Sequence, residues 1–415
     1  MNKDELLKII KENNNKNIFA IVGPNSSGKT FTLDYIYDSI SENSMYFNET
    51  GTMETKVEHS RIKIQNKMYI YTDETKVGEI NETSFTKTIE ISDNSLDLIN
   101  FSKEKLSLLN KASSLGTKKL TEILNSFQQY NLNEVNYILM DEPENFLDDN
   151  NLNIIRKLFD AIVLSNRKII FVTHSPRLLE LLKIEIDSIF IMNPNEYNSI
   201  NHISKNKVSE IYEESASLCR NIKKSSDNPS YNKTVQFDAP PIFKDLYLSK
   251  LLTSQEFYRS LFYKKIYLME GPTEKFMLDE AKDSVPYTEN VFFTDGKYKA
   301  PFLLMLFANV CNEVICIIDS DKDENDSKKH SYLFNSVFDT LEKQFENISI
   351  KFLNKNIENE LEIDPIKTLA SILGKNKVKM ENFYKPYIVL YSIRNNPKLV
   401  NKINEIFKVK EKWEF

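Results

Sequence analysis

Two series of short apolar runs, each interrupted by polar stretches, organise the chain. In the first series, IFAIV (18–22), NYILM (136–140), KIIFVTH (168–174) and SIFIM (188–192) are runs of four or five apolar residues bounded by turn-forming or acidic ones. Runs of that length, uninterrupted by alternation, predict strands covered on both faces, as in a largely parallel sheet. Apolar positions at helical spacing between them predict helices over 103–129, 150–164 and 176–184. Residues 45–95 instead alternate in short pieces such as RIKI and KMYIYT, which predicts an antiparallel patch. The second series starts at 264 with KIYLM and continues with VICII. Strands alternating with helices in both series predict an α/β fold with two parallel sheets.

The stretch SSDNPSYNKTVQFDAPP (225–241) is rich in proline and polar residues and reads as a linker, followed by a helical segment over 243–263. The expected organisation is a first domain over 1–235, a linker and connecting helix over 236–263, and a second domain over 264–415. A length of 415 residues agrees with two cores, since single cores stop growing well before that size. No run approaches eighteen apolar residues and the N-terminal MNKDELLKII lacks a signal-peptide core, so a cytoplasmic protein without a membrane segment is expected. Cys219, Cys311 and Cys316 have no zinc or CxxC spacing and are expected to be reduced. A net charge of −6 argues against a general coat of nucleic acid but leaves room for a local basic groove.

The chemistry starts at Gly23-Pro24-Asn25-Ser26-Ser27-Gly28-Lys29-Thr30, a P-loop between a predicted strand and a predicted helix. Backbone amides of Asn25, Ser26, Ser27, Gly28 and Lys29 would cradle phosphates at the helix N-terminus. Lys29 would neutralise β/γ-phosphate charge and Thr30 would ligate Mg²⁺. Asp141-Glu142 closes the strand YILM, where Asp141 suits the metal and Glu142 suits polarisation of an attacking water. His174 follows the strand IIFVT in the place of a γ-phosphate sensor. Only 8 glycines occur in the chain, and Gly23, Gly28, Gly116, Gly271 and Gly296 fall in or beside these candidate motifs.

A second group of acids lies further on. Glu270 follows KIYLM in Glu270-Gly271-Pro272-Thr273-Glu274, and Asp319-Ser320-Asp321-Lys322-Asp323 follows VICII. Three carboxylates at neighbouring strand ends repel one another and suit a divalent cation with oxygen ligands, Mg²⁺ or Mn²⁺. The alternative for Asp323, or for the whole run DKDENDS, is a solvated acidic loop.

These residues resemble two known folds. Walker A at 23–30, Walker B ending at Asp141-Glu142 and the switch histidine His174 resemble the ABC-type ATPases of the SMC and RecF branch. Ser114-Leu115-Gly116-Thr117-Lys118 looks like a variant of that superfamily's signature loop, S-x-G-T-K. The resemblance implies that Ser114 and Gly116 complete the ATP site of a second subunit, in a homodimer through the ATPase domains. Gln65 is the candidate for the Q-loop. Glu270, Asp319 and Asp321 resemble the acidic motifs of a Toprim domain. An N-terminal ABC ATPase followed by a Toprim is the arrangement of the OLD-family nucleases, which include the nuclease subunit of Gabija-type antiphage systems. That likeness implies a further metal-binding glutamate at Glu358, within Asn356-Ile357-Glu358-Asn359-Glu360, and a lysine at Lys385 that contacts the scissile phosphate. Glu360 and Lys379 are the neighbouring alternatives.

The resulting expectation is an ATP-hydrolysing, metal-dependent endonuclease acting in phage defence. DNA is the first choice of substrate over RNA, and an accessory defence protein is a conceivable partner. Two alternatives stand beside it: an ATP-gated clamp that holds nucleic acid without cutting it, and a Toprim nuclease acting on tRNA.

Overall fold

The structure, a computed structural model, describes residues 1–40, 44–55, 61–64, 67–69, 88–90, 93–109, 114–129, 135–193, 199–225, 241–281, 290–294, 296–321, 334–375, 379 and 384–407. Gln65, the acidic run from Lys322 to Ser327 with Asp323, and most of the expected linker lie outside the described residues. The chain forms two compact units, Met1–His202 with Lys250–Phe262, and Ile203–Ser249 with Tyr263–Phe415.

In the first unit, α1 (Lys3–Glu12) leads into β1 (Ile18–Val22), whose last four residues are buried, and then α2 (Lys29–Ser39). After β2 (Ser44–Phe47) and β3 (Met53–Thr55) come the short strands β4 (Arg61–Ile64), β5 (Lys67–Tyr69) and β6 (Thr88–Glu90). Helices α3 (Asp93–Leu109) and α4 (Leu115–Gln129) precede β7 (Tyr137–Asp141), α5 (Asp149–Leu164), β8 (Lys168–Val172), α6 (Pro176–Leu182), β9 (Ile189–Met192) and β10 (Ile200–His202). The main sheet has the order β10-β9-β1-β8-β7-β2-β3. Its five inner strands are parallel, and antiparallel β10 and β3 form the edges. One face of this sheet is covered by α1 and α2, through Leu6, Ile10, Leu33 and Ile36 packed on Phe19, Ile21, Ile170 and Phe190.

Two expectations change here. A single helix over 103–129 is replaced by α3 and α4. Ser114 starts the second of them, its Oγ accepting the amide hydrogen of Thr117 at 3.2 Å as a helix cap. The antiparallel patch holds for β4 with β5, whereas β6 joins β4 in parallel and β2 joins the main sheet parallel to β7.

Within the second unit, α7 (Lys205–Ser225) packs on later helices although it precedes the expected linker, with Tyr212 edge-on to Phe302 at 5.3 Å. The expected helix over 243–263 is two helices, α8 (Pro241–Leu252) and α9 (Gln255–Ser260), because Ser254 caps the second one, and α9 belongs with Lys250–Phe262 to the first unit. Then follow β11 (Lys265–Met269), α10 (Pro272–Ala281), β12 (Val291–Phe293), α11 (Ala300–Ala308), β13 (Glu313–Asp319), α12 (Asn335–Gln344) and β14 (Ile348–Leu353). The chain closes with α13 (Ile357–Glu360), α14 (Pro365–Leu373), α15 (Lys385–Asn395) and α16 (Lys398–Phe407). All four strands of the sheet, ordered β12-β11-β13-β14, are parallel. Its core joins Met269, Ile315 and Ile317 to Val389, Ile393 and Ile403.

The protein is therefore α/β throughout: a first unit on a largely parallel seven-stranded sheet, with the Gly23–Gly28 loop between β1 and α2, and a second parallel-sheet α/β unit. Among the described residues no helix is long and apolar enough to cross a membrane. Cys219, Cys311 and Cys316 are all buried, and none of the three forms a disulfide.

Candidate functional site

The first site forms where β1, β8 and β7, neighbours in the sheet, end at one edge. Parallel strands deliver their carboxyl ends to the same side, so the segments after each strand meet there. Gly28, at φ +86° in the left-handed region, turns the loop into the N-terminus of α2. Asn25, Ser26 and Thr30 are exposed, while Ser27 and Gly28 are half-buried. Lys29 is buried, and its Nζ donates to the carbonyls of Gly23 and Pro24 at 3.1 Å each. Burial lowers its pKa, against the opposing pull of Glu142, Asp141 and Glu144.

Asp141 ends β7 with Oδ1 buried and without a hydrogen-bond partner. Burial pushes its carboxyl up to about 6, although Thr30 hydrogen-bonds to it. An unpartnered buried carboxylate oxygen beside a threonine hydroxyl fits the hard-oxygen demands of Mg²⁺. Glu142 sits at φ +45°, its amide donating to Val172 at 3.0 Å, and its carboxylate meets His174 Nδ1 at 3.1 Å and the side-chain amide of Asn145. Strand order thus brings Lys29, Thr30, Asp141, Glu142 and His174 together, as the sequence placed them.

Two residues that sequence reasoning missed complete this site. Glu144 is buried between the Asp141-Glu142 pair and the histidine, accepting hydrogen bonds from the Thr173 hydroxyl and from the His174 amide at 3.2 Å. Burial raises its pKa. Lys119, on α4, is 3% exposed, and its Nζ donates to the Glu142 carbonyl at 2.6 Å. Burial lowers its pKa to about 8 despite the surrounding acids Glu144, Glu142 and Asp141. Glu144 follows the Asp-Glu pair by two residues, which was its only signal; nothing in the sequence marks Lys119 as buried.

Ser114 and Gly116 lie at the start of α4. Ser114 is exposed, its Oγ 2.8 Å from Thr117 Oγ1. Gly116 is a close-approach glycine: a Cβ there would stand 2.2 Å from the carbonyl oxygen of Phe146, in the loop after Walker B.

The second site lies at the carboxyl edge of the four-stranded sheet. Glu270 directly follows β11, Asp319 ends the adjacent β13, and Glu358 comes from α13 after β14. Asp319 is half-buried overall, yet its Oδ1 is shut from solvent and has no hydrogen-bond partner, as is Oε2 of Glu270. Burial, followed by the charges of Glu270, Glu274, Asp321 and Glu358, pushes the Asp319 carboxyl up to about 8. Burial and Asp321 raise Glu270 as well. Asp321 sits at φ +54°, its amide donating to Lys355 at 3.0 Å. Glu358 is buried, whereas Glu360 accepts the exposed Asn354 amide at 2.8 Å. Lys385 Nζ stands 3.6 Å from Glu358 Oε1, and Lys379 is exposed.

The missed residue in this cluster is Lys297, from the TDGK segment that also bonds Glu270 through the Gly296 amide at 3.1 Å. Lys297 is 3% exposed and donates to the Asp319 carbonyl at 2.7 Å and to Asp321 Oδ2 at 2.9 Å. It already neutralises part of the acidic cluster. Among the described residues no group of three or more His, Cys, Asp or Glu forms a ready-made metal cage. The open oxygens of Glu270 and Asp319 nevertheless fit a divalent cation.

No family model matches the chain, and no curated protein matches it. Among solved structures it is similar to a metal-chelate type ABC transporter in an inward-facing conformation, at 16% identity and a TM-score of 0.28, over 47% of this chain and 77% of that one.

Proposed function

We propose that the protein is an ATP-hydrolysing, divalent-metal-dependent endonuclease of the OLD type, with a Toprim-like second unit, that cleaves nucleic-acid phosphodiesters in phage defence. The observation that carries the nuclease half is the pair of buried, open carboxylate oxygens of Glu270 and Asp319 on adjacent strand ends, with the charges of Asp321 and Glu358 acting on Asp319. Glu270, Asp319, Asp321 and Glu358 would hold Mg²⁺ or Mn²⁺, which when bound supplies charge neutralisation and an activated water. Lys385 would meet the scissile phosphate. In the first unit, Lys29 and the loop amides bind ATP phosphates, Thr30 and Asp141 hold Mg²⁺, Glu142 orients water and His174 senses the γ-phosphate. Ser114 and Gly116 would complete the site of a second copy.

Lys297 supports a second reading. A buried lysine already paired with Asp321 is also what a structural, inert carboxylate cluster would contain, as in an ATP-gated clamp. A cleavage panel separates the two: plasmid, linear duplex, single strand and tRNA, with Mg²⁺ or Mn²⁺, with and without ATP. Cleavage that disappears in Asp319→Ala/Asp321→Ala supports the nuclease. Cleavage unchanged in that double variant removes it, and none by wild type on any substrate favours the clamp.

A further inference from the structure

Beside the carboxylate cluster, α15 carries a row of aromatic rings. Tyr384, which caps the helix, and Tyr387 and Tyr391 within it are 39%, 48% and 47% exposed. Their spacing of three and four residues places all three on one helix face. Ile388, Val389 and Ile393 are buried, the last two in the core of the unit, and hold the helix from behind. The Tyr387 ring leans on Phe276 at 5.4 Å. Arg394 fixes the far end of the helix with two hydrogen bonds to Glu280, at 3.0 and 2.6 Å. The tyrosines therefore stand on a braced support and present ring surface to solvent.

Both ends of the row carry lysines. At the N-terminal end, Lys385 is the residue next to Glu358. At the other end, Tyr391 lines an open groove of about 550 Å³ whose wall also holds Lys367, Lys398 and Lys402. Two acids share that wall: Glu362 pairs with Lys402 at 2.9 Å, and the Asp364 carboxylate is committed to the Lys367 amide at 2.9 Å as a helix cap. From Lys385 to Tyr391 the helix rises about 9 Å.

Exposed rings in line, flanked by lysines, match what binds unpaired polynucleotide: every base has a face to stack, and the phosphates need only nearby cations. Bases in a duplex are stacked on their neighbours and cannot offer those faces without unpairing. We infer that this face of α15 is a track for a single-stranded or unpaired polynucleotide leading to the Glu270–Asp319–Glu358 cluster. Bases stack on Tyr384, Tyr387 and Tyr391, while Lys385 and the groove lysines meet phosphates. The use of the track rests on the nuclease reading; the binding does not.

Fluorescence anisotropy on the full chain in EDTA tests it without cleavage. The probes are a short labelled oligothymidylate, the matching oligouridylate and a duplex of equal length, so that DNA and RNA strands are told apart. Single strands should bind more tightly than the duplex. Tyr387→Ala/Tyr391→Ala should weaken single-strand binding about tenfold or more, and Tyr387→Phe/Tyr391→Phe should restore it. Lys367→Gln/Lys398→Gln should flatten the salt dependence. Photocrosslinking of a bromodeoxyuridine strand to the unaltered chain should mark the α15 peptide. Wild-type affinity in the alanine pair, preference for the duplex, or crosslinks only elsewhere would overturn the track. Cleavage lost only in Asp319→Ala, together with unchanged strand binding by the alanine pair, removes the track and leaves the nuclease. The expected binding pattern with no cleavage by wild type removes the nuclease and leaves the track.

Discussion

The ammonium of Lys119 donates a 2.6 Å hydrogen bond to the carbonyl oxygen of Glu142. The bond ties α4, which begins with the signature-like loop, to the turn that carries the proposed water-orienting carboxylate. Gly51 leaves room for it, since a Cβ there would stand 2.8 Å from Lys119 Cγ. Lys119→Met should keep ATP affinity, because Lys29 and the P-loop are untouched, and lower turnover by about tenfold or more as Glu142 loses its fixed position. Titration calorimetry and a phosphate-release assay read the two quantities separately. Turnover at the wild-type level would deny Lys119 this role.

The same lysine makes a pH prediction. Its pKa falls from the ordinary 10.5 to about 8 in the folded protein, with burial as the main cause. Between those values the unfolded chain binds more protons than the folded one, so stability from this group rises with pH from about 8 to 10.5. One proton gives a slope of at most about 1.4 kcal/mol per pH unit. Urea unfolding across that range should show a steeper rise for wild type than for Lys119→Met, and parallel curves would contradict the burial argument.

The nucleotide assignment has its own pair of variants. Lys29→Ala should lose tight ATP binding, whereas Glu142→Gln should bind ATP and hydrolyse it slowly. Normal turnover in Glu142→Gln would move the role to another group, and buried Glu144 would then be the first to examine.

Ser114 and Gly116 separate assembly from folding. Ser114 is exposed but caps α4, so Ser114→Arg should cost about 1 kcal/mol in urea unfolding and impair hydrolysis far beyond that, and a mixture with Lys29→Ala subunits should regain one composite site per dimer at most. Gly116→Ala forces a methyl against the Phe146 carbonyl and should cost about 1–3 kcal/mol in urea unfolding. If Ser114→Arg hydrolyses ATP like wild type, the signature assignment is wrong.

Metal should act on the second unit through charge. Mn²⁺ should raise the thermal midpoint of the wild type, because a cation relieves repulsion among Glu270, Asp319 and Asp321, and EDTA should reverse it. Asp319→Asn should raise the midpoint in EDTA and remove most of the Mn²⁺ effect. A wild-type midpoint indifferent to Mn²⁺ would leave Lys297 as the neutralising partner of the cluster.

What could be read from the sequence followed from locality. The P-loop is eight consecutive residues, and Asp141, Glu142, His174, Glu270 and Asp319 each mark the end of an apolar run, so parallel pairing alone brings each set to an edge. Lys119, Glu144 and Lys297 were hidden for the opposite reason. Lys119 and Lys297 lie within or next to stretches read for other residues, and their burial depends on packing of helix and loop against strands distant in sequence. The start of α4 is marked by a serine cap, which helical periodicity does not register. The partition of α7 into the second unit depended on ring contacts such as Tyr212 with Phe302, which no local pattern encodes.

The three cysteines have a practical consequence. Burial pushes the Cys219 and Cys311 thiols up to about 12 and raises Cys316 as well. Thiolate is the reactive form, so at neutral pH none should take a maleimide readily. A cysteine introduced at one surface position of each unit would then carry dye or spin label on an otherwise silent background. The separation of the two units with and without ATP could be followed in solution with no native residue removed first.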